Sequence, residues 1–85
     1  MAYPTILIET CKSLVERCDA LGLKGKKADN EAVTYFCGVY TGLRLAGKEE
    51  DAAYIGRMVA VVIAVRGMFE VRRILAEAAK EPAAA

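Results

Sequence analysis

The stretch GVYTGLRLAGKEEDAAYIGRMVA, residues 38–60, is the part of the sequence that is most informative about the fold, because small residues recur every four positions on both sides of its centre. Each small residue before the centre lies as far from residue 49 as its counterpart after it. The six residues are Gly38, Gly42 and Ala46, followed by Ala52, Gly56 and Ala60. Residues four apart share one face of a helix, and small side chains let two helix backbones approach closely. The stretch therefore predicts an antiparallel hairpin of two close-packed helices.

A further helix is predicted before the hairpin, at about residues 4–21. Pro4 suits the first turn of a helix, where its missing amide hydrogen is not needed, and Gly22 is a typical residue just after a helix. Between them, apolar residues recur at alternating intervals of four and three, which is the spacing of one helical face. They are Leu7, Cys11, Leu14, Cys18 and Leu21.

The second helix is predicted at about residues 30–46, and Gly47 ends it. Its N-cap is Asp29 or Asn30, because short polar side chains accept hydrogen bonds from the first amides of a helix. Residues 23–28, with the sequence LKGKKA, then form a short basic loop before this helix.

The third helix is predicted at about residues 49–80, since no proline interrupts the chain before Pro82, and residues 81–85 form a frayed tail. At 1.5 Å per residue this helix would be about 45 Å long, against about 25 Å for each of the others. It therefore either overhangs the hairpin or bends near Gly67. The valine-rich residues 59–65 also have strand propensity, so a strand there is the alternative.

The chain is predicted to be a single all-α domain over residues 1–85, built as a three-helix unit that associates with itself. Hydrophobic residues make up 55% of the 85 residues, which is more than so short a chain can bury. The middle of the third helix carries a face of large apolar residues opposite its small ones. This predicted association face is Met58, Val62, Val65 and Phe69.

The composition limits where the chain acts and what it binds. The net charge of +1 gives no overall field that would attract nucleic acid or an anionic membrane. The longest apolar run, residues 58–65, is far shorter than the roughly 20 residues that span a bilayer. The N-terminus lacks a secretion signal and the cysteines (Cys11, Cys18 and Cys37) are odd in number, so we expect a soluble, cytoplasmic chain with reduced thiols.

Catalysis and metal binding are not expected. Histidine is absent, and it is the commonest acid–base group at neutral pH and the commonest metal ligand. The cysteines lack the C-x-x-C spacing of a thiolate zinc site. Glu49, Glu50 and Asp51 are interpreted as charges that complement the positive N-terminal end of the third helix. The sequence therefore predicts a protein that is not an enzyme and has no catalytic, metal or cofactor site.

Two clusters of basic residues are the remaining candidates for contact with a partner. They are Lys24, Lys26 and Lys27 in the predicted loop, and Arg66, Arg72 and Arg73 in the third helix. Such clusters contact phosphates, form the rim of a protein interface, or are a solvated surface. The spacing of Arg73 from Glu70 and Glu77 also favours ion pairs within the helix.

The favoured hypothesis is a small protein–protein interaction module: an adaptor, regulator or inhibitor that forms a homo-oligomer, binds another protein, or does both. Small chains without catalytic groups are common among inhibitors encoded by phages and mobile elements, including anti-CRISPR proteins. The alternative is a nucleic-acid-binding accessory protein that uses the two basic clusters. A third hypothesis is an enzyme subunit whose active site forms only with another chain.

Overall fold

A computed structural model of the chain describes residues 3–80, apart from the side chain of Val62. The prediction of an all-α chain is confirmed, because the described part consists of four helices and contains no strand. Residues 59–65, where a strand was the alternative, are helical. The predicted tail at residues 81–85 lies outside the described part.

The first helix, α1, spans Thr5–Leu21 and follows the predicted bounds. Four members of its predicted apolar face are at most 1% exposed and form part of the core. They are Leu7, Cys11, Leu14 and Cys18. The fifth member, Leu21, is 57% exposed at the end of the helix.

The second helix, α2, spans Gly25–Leu45 and so begins earlier than the predicted residue 30. Ala28 is only 6% exposed, and packing of this residue against the core keeps the preceding turn helical. Asp29 and Asn30 consequently lie inside α2, and neither is its N-cap. The Asp29 carboxylate instead accepts a hydrogen bond from the backbone N–H of Met68, at 2.8 Å.

The third helix, α3, spans Glu49–Arg66 and follows a turn at residues 46–48. It begins as an α-helix over Glu49–Met58, widens into a π-helix over Val59–Ile63, and ends with a short α-helical turn. A π-helix bonds each amide to the carbonyl five residues back, and such segments are rare in proteins. α3 packs against α2 along much of its length.

The helix predicted at about residues 49–80 is divided into two helices, because the chain turns sharply at Gly67. The fourth helix, α4, spans Met68–Lys80, and the helix axis bends by 115° between α3 and α4. Gly67 has a φ of 56° and a ψ of −136°, a combination that glycine adopts readily and other residues avoid. Of the two arrangements that the sequence allowed, the bend near Gly67 is therefore the one observed.

α4 packs against α1 and runs in the opposite direction. The hydroxyl of Tyr3, which precedes α1, donates a hydrogen bond to Glu77 Oε2 near the end of α4, at 2.6 Å. The end of α1 consequently lies beside the start of α4. All four helices contribute to the core. Its largest fully buried side chains are Phe36, Leu7, Leu14, Ile55, Ile63, Ile74, Val71, Cys11 and Cys18.

The prediction that Gly38 and Gly42 pack closely against α3 is corrected by the structure. Both glycines are exposed, and nothing lies within 4 Å of the position that a Cβ atom would take on either of them. The buried face of α2 is set by Phe36, which is completely inaccessible. Gly38 lies about 200° around the helix from Phe36, on the opposite side.

The other four small residues lie in different environments. Ala52 is buried, whereas Ala46 (at the end of α2) and Ala60 are exposed. Gly56 is half-buried and contacts a large residue, since a Cβ atom there would lie 2.9 Å from Cε1 of Tyr40. α2 therefore meets α3 at Gly56 through an aromatic ring and not through opposed glycines.

Leucine substitutions at two glycines test this corrected contact. Gly42→Leu is expected to leave the free energy of unfolding unchanged or to raise it by up to about 0.7 kcal/mol, because leucine is the better helix former. Gly56→Leu is expected to lower it by about 1–3 kcal/mol, because the larger side chain must displace Tyr40. Urea denaturation of both variants gives the comparison. A large loss of stability in Gly42→Leu would instead support the close glycine packing that the sequence predicted.

Candidate functional site

The predicted association face is partly exposed. Val65 and Phe69 have 79% and 69% of their surfaces accessible, whereas Met58 is half-buried against the core. The side chain of Val62 lies outside the described part. Val61, which was not predicted, is 70% exposed. We call the exposed residues Val61, Val65 and Phe69 the apolar surface.

The spacing within α3 could have identified Val61. A wheel drawn at 3.6 residues per turn puts residues 58, 62, 65 and 69 on one face. Val61 lies four residues before Val65, and residues four apart share one side of a helix, so Val61 borders the predicted face. The π-helix over Val59–Ile63 was not predicted, although this segment is a run of β-branched residues, which are crowded in a regular α-helix.

The structure brings the two basic clusters to one end of the molecule. The hydrogen bond from the Met68 amide to Asp29 places the first turns of α2 against the start of α4. A Cβ atom on Gly67 would lie 2.5 Å from Cγ of Asp29, which shows how closely the two segments approach. Five exposed cations lie within five residues of Asp29 or Met68 along the chain, and we call them the basic end: Lys24, Lys26, Lys27, Arg66 and Arg72.

Arg73, the sixth predicted residue of the basic clusters, is engaged within the chain. Its Nε donates to Glu70 Oε1 at 2.9 Å, and its terminal nitrogens donate to Glu70 and Glu77. The other Glu77 oxygen accepts the hydrogen bond from Tyr3. Glu70 is 3% exposed, and Arg66 Nη1 lies 3.9 Å from it. Arg73 is therefore a structural residue that links α4 to the start of the chain.

These contacts shift the acidity of the groups involved. The hydrogen bonds from Arg73 hold the pKa of Glu70 below its ordinary value of 4.5, although burial opposes them. The hydrogen bond from Tyr3 likewise lowers the pKa of Glu77. Burial raises the pKa of Cys11 to about 12, and the charge of Glu70 adds to this effect. The Cys11 thiol is thus protonated at neutral pH and does not serve as a nucleophile.

The lowered pKa of Glu70 has a consequence for acid stability. Ionised Glu70 stabilises the fold above pH 4.5, and this contribution is lost as the pH falls below 4.5. Glu70→Gln is therefore expected to lose less thermal stability than the wild type between about pH 5 and about pH 3. Circular dichroism melts at both pH values measure the difference. Glu50→Gln, at an exposed position in α3, is the control, and its thermal stability should fall as much as that of the wild type. Equal losses of stability in all three proteins would contradict the role of Glu70.

Other features of the surface are modest. A groove of about 410 Å³ lies between α2 and α3, lined by Cys37, Tyr40, Ala53, Gly56 and Val59. Among residues 3–80, no group of three or more cysteine or acidic side chains is placed to hold a metal ion. In the same range no single helix is long and apolar enough to cross a membrane, and α3 and α4 reach that composition only as a bent pair. Comparisons with protein-family models, with curated proteins and with solved structures found no significant match to this chain.

Proposed function

We propose that the protein is a non-enzymatic protein-interaction module, acting as an adaptor, regulator or inhibitor, and that the apolar surface is its docking site. The observation that carries this proposal is the exposure of Val61, Val65 and Phe69, each of which leaves at least 69% of its surface accessible. Single exposed apolar residues are common on proteins, whereas larger apolar patches are typical of interaction sites, and these three residues lie within eight positions of one another along the chain.

The energetics of burial support this use of the apolar surface. Covering one valine or phenylalanine side chain completely stabilises a complex by about 1.5–3 kcal/mol, so burial of these three residues would offset part of the entropy lost on association. The same residues contribute little to folding, because they are exposed in the folded chain. The occupant is a second copy of this chain or a different protein.

Size-exclusion chromatography with light scattering, over a hundredfold range of concentration, tests the proposal. The double variant Val65→Ser/Phe69→Ser is compared with the wild type, and Leu45→Ser, at a position 86% exposed near the end of α2, is the control. Both variants are expected to fold as stably as the wild type. Association that the double variant loses and the control retains would support docking through the apolar surface. Loss of several kcal/mol of stability in the double variant would contradict it, because the residues would then belong to the core.

Nucleic-acid binding is the second candidate function, and the convergence of two basic clusters at the basic end favours it. Five cations at one end of the molecule would contact several phosphates at once. A band-shift titration with a DNA duplex at two salt concentrations tests this candidate. Binding weaker than about 10⁻⁴ M at physiological salt would exclude it, because ordinary non-specific binders exceed that affinity.

A further inference from the structure

The apolar surface and the basic end meet at the turn around Gly67. Val65 and Phe69 lie two residues before and after this glycine, and Arg66 is adjacent to it. Lys26 lies about one helical turn before Asp29, whose carboxylate contacts the Met68 amide. Exposed apolar side chains and exposed cations are therefore neighbours on this part of the molecule.

The carboxylates at this end are largely engaged within the chain. Asp29 accepts the hydrogen bond from the Met68 amide, Glu31 pairs with Arg17 at 2.5 Å, and Glu70 is buried beside Arg73. Asp19, near the end of α1, is exposed, and it is one carboxylate against the five cations of the basic end.

Four of the five cations of the basic end, by contrast, have no counter-charge within ion-pair distance in the described part of the chain. Within residues 3–80, four members of the basic end make neither an ion pair nor a side-chain hydrogen bond: Lys24, Lys26, Lys27 and Arg72. A net charge of +1 for the whole chain thus conceals a concentrated positive region at this end. The surface that remains is apolar and positively charged.

We infer that the partner is a different protein that presents an acidic amphipathic segment, with apolar side chains flanked by carboxylates. This inference rests on the proposed function and names the chemistry of the occupant. The apolar residues of the segment would cover Val65 and Phe69, and its carboxylates would face the basic end. Complementary charges of this kind speed association and select the partner, while apolar contacts lengthen the life of the complex.

The same charges disfavour two other occupants. A second copy related by a two-fold axis that passes close to the basic end would bring the cations of the two chains together. A nucleic acid would neutralise the cations, but its phosphates give no contact to the exposed side chains of Val61 and Val65, since phosphate recognition uses charged and polar donors.

Three synthetic peptides test the inference on the full-length chain. Each peptide has about 18 residues, which is long enough to form an amphipathic helix, and all three have the same leucine face. The residues that flank this face are glutamate in the first peptide, glutamine in the second and lysine in the third. We expect the glutamate peptide to bind at least about tenfold more tightly than the glutamine peptide at low salt, and the lysine peptide to bind most weakly. The preference should shrink as salt is raised to about 1 M, because the exposed charges are then screened.

Variants separate the contributions of charge and apolar contact. Phe69→Ser should weaken binding of the glutamate and glutamine peptides by similar factors. The triple variant Lys24→Ala/Lys26→Ala/Lys27→Ala should remove most of the preference for glutamate while leaving binding of the glutamine peptide unchanged. Lys48→Ala, in the turn before α3, is the matched control and should retain the preference.

Each adverse outcome has a distinct meaning. Equal binding of all three peptides, lost in Phe69→Ser, would overturn the acidic partner while leaving the apolar surface as a docking site. Tighter binding to a DNA duplex, or to vesicles containing phosphatidylserine, than to the glutamate peptide would overturn the inference in favour of that ligand. If none of the peptides binds, the inference is overturned as well. If the wild-type chain then proves to be a dimer that forms through Phe69, the proposed function is retained. If the chain is a monomer, both the inference and the proposed function are contradicted.

Discussion

Gly67→Ala is expected to lower the free energy of unfolding by about 3 kcal/mol, measured by urea denaturation. The backbone at Gly67 has a φ of 56°, which residues with a Cβ atom adopt only under strain. The added methyl would also lie 2.5 Å from Cγ of Asp29 and displace the carboxylate from the Met68 amide. A chain of 85 residues has a total stability of about 4–13 kcal/mol, so this loss is a large fraction of it.

A double variant separates the strain from the steric clash. Asp29→Ala alone leaves the Met68 amide without its carboxylate and is expected to cost about 1 kcal/mol. In that background Gly67→Ala should cost less than it does in the wild type, because most of the obstructing side chain is gone. Fully additive losses would argue against the contact. A loss below about 0.5 kcal/mol for Gly67→Ala would argue against the turn itself.

Phe36→Ala is expected to lower the free energy of unfolding by about 3–5 kcal/mol, or to prevent folding. Phe36 is the largest fully buried side chain, and the other buried residues of α2 are the alanines Ala28 and Ala32. No second large side chain on α2 is fully buried, so truncation removes the main anchor of this helix. If the alanine variant does not fold, Phe36→Leu, with an expected loss of about 1–2 kcal/mol, keeps the effect measurable.

The same substitution at an exposed phenylalanine is the control. Phe69→Ala removes an equal number of atoms from a side chain that is 69% accessible, and its stability is expected to change by no more than about 0.5 kcal/mol. Urea denaturation of the two variants side by side gives the comparison. Similar losses would show that Phe69 packs in the core and that the apolar surface is misassigned.

The first helix could be predicted from the sequence because its signals are local. The alternating spacing of Leu7, Cys11, Leu14 and Cys18 requires no knowledge of the rest of the chain, and Pro4 and Gly22 mark its ends. The bend near Gly67 could be predicted only as one of two arrangements. A glycine shows where a helix can break. The observed break is accompanied by a contact between Met68 and Asp29, which lie 39 positions apart in the sequence, and no local pattern predicts such a contact.

The site was less predictable, because it depends on contacts between distant residues. The spacing of Gly38 and Gly42 shows where two backbones are free to approach, whereas the fold is decided by burial of large side chains such as Phe36. The meeting of the two basic clusters depends on the bond between Asp29 and Met68, which no pattern within either cluster reveals.

The bond between Asp29 and Met68 also makes α2 and α4 parts of one cooperative unit. The amide at the start of α4 is protected from solvent hydrogen exchange by a carboxylate that belongs to α2, so opening of the first turns of α2 exposes it. The same opening would separate the lysines of α2 from Phe69. A partner that contacts both would hold the two helices together and slow exchange at the Met68 amide without touching it. The exchange rate of that one amide therefore reports how firmly the start of α2 and the start of α4 are joined.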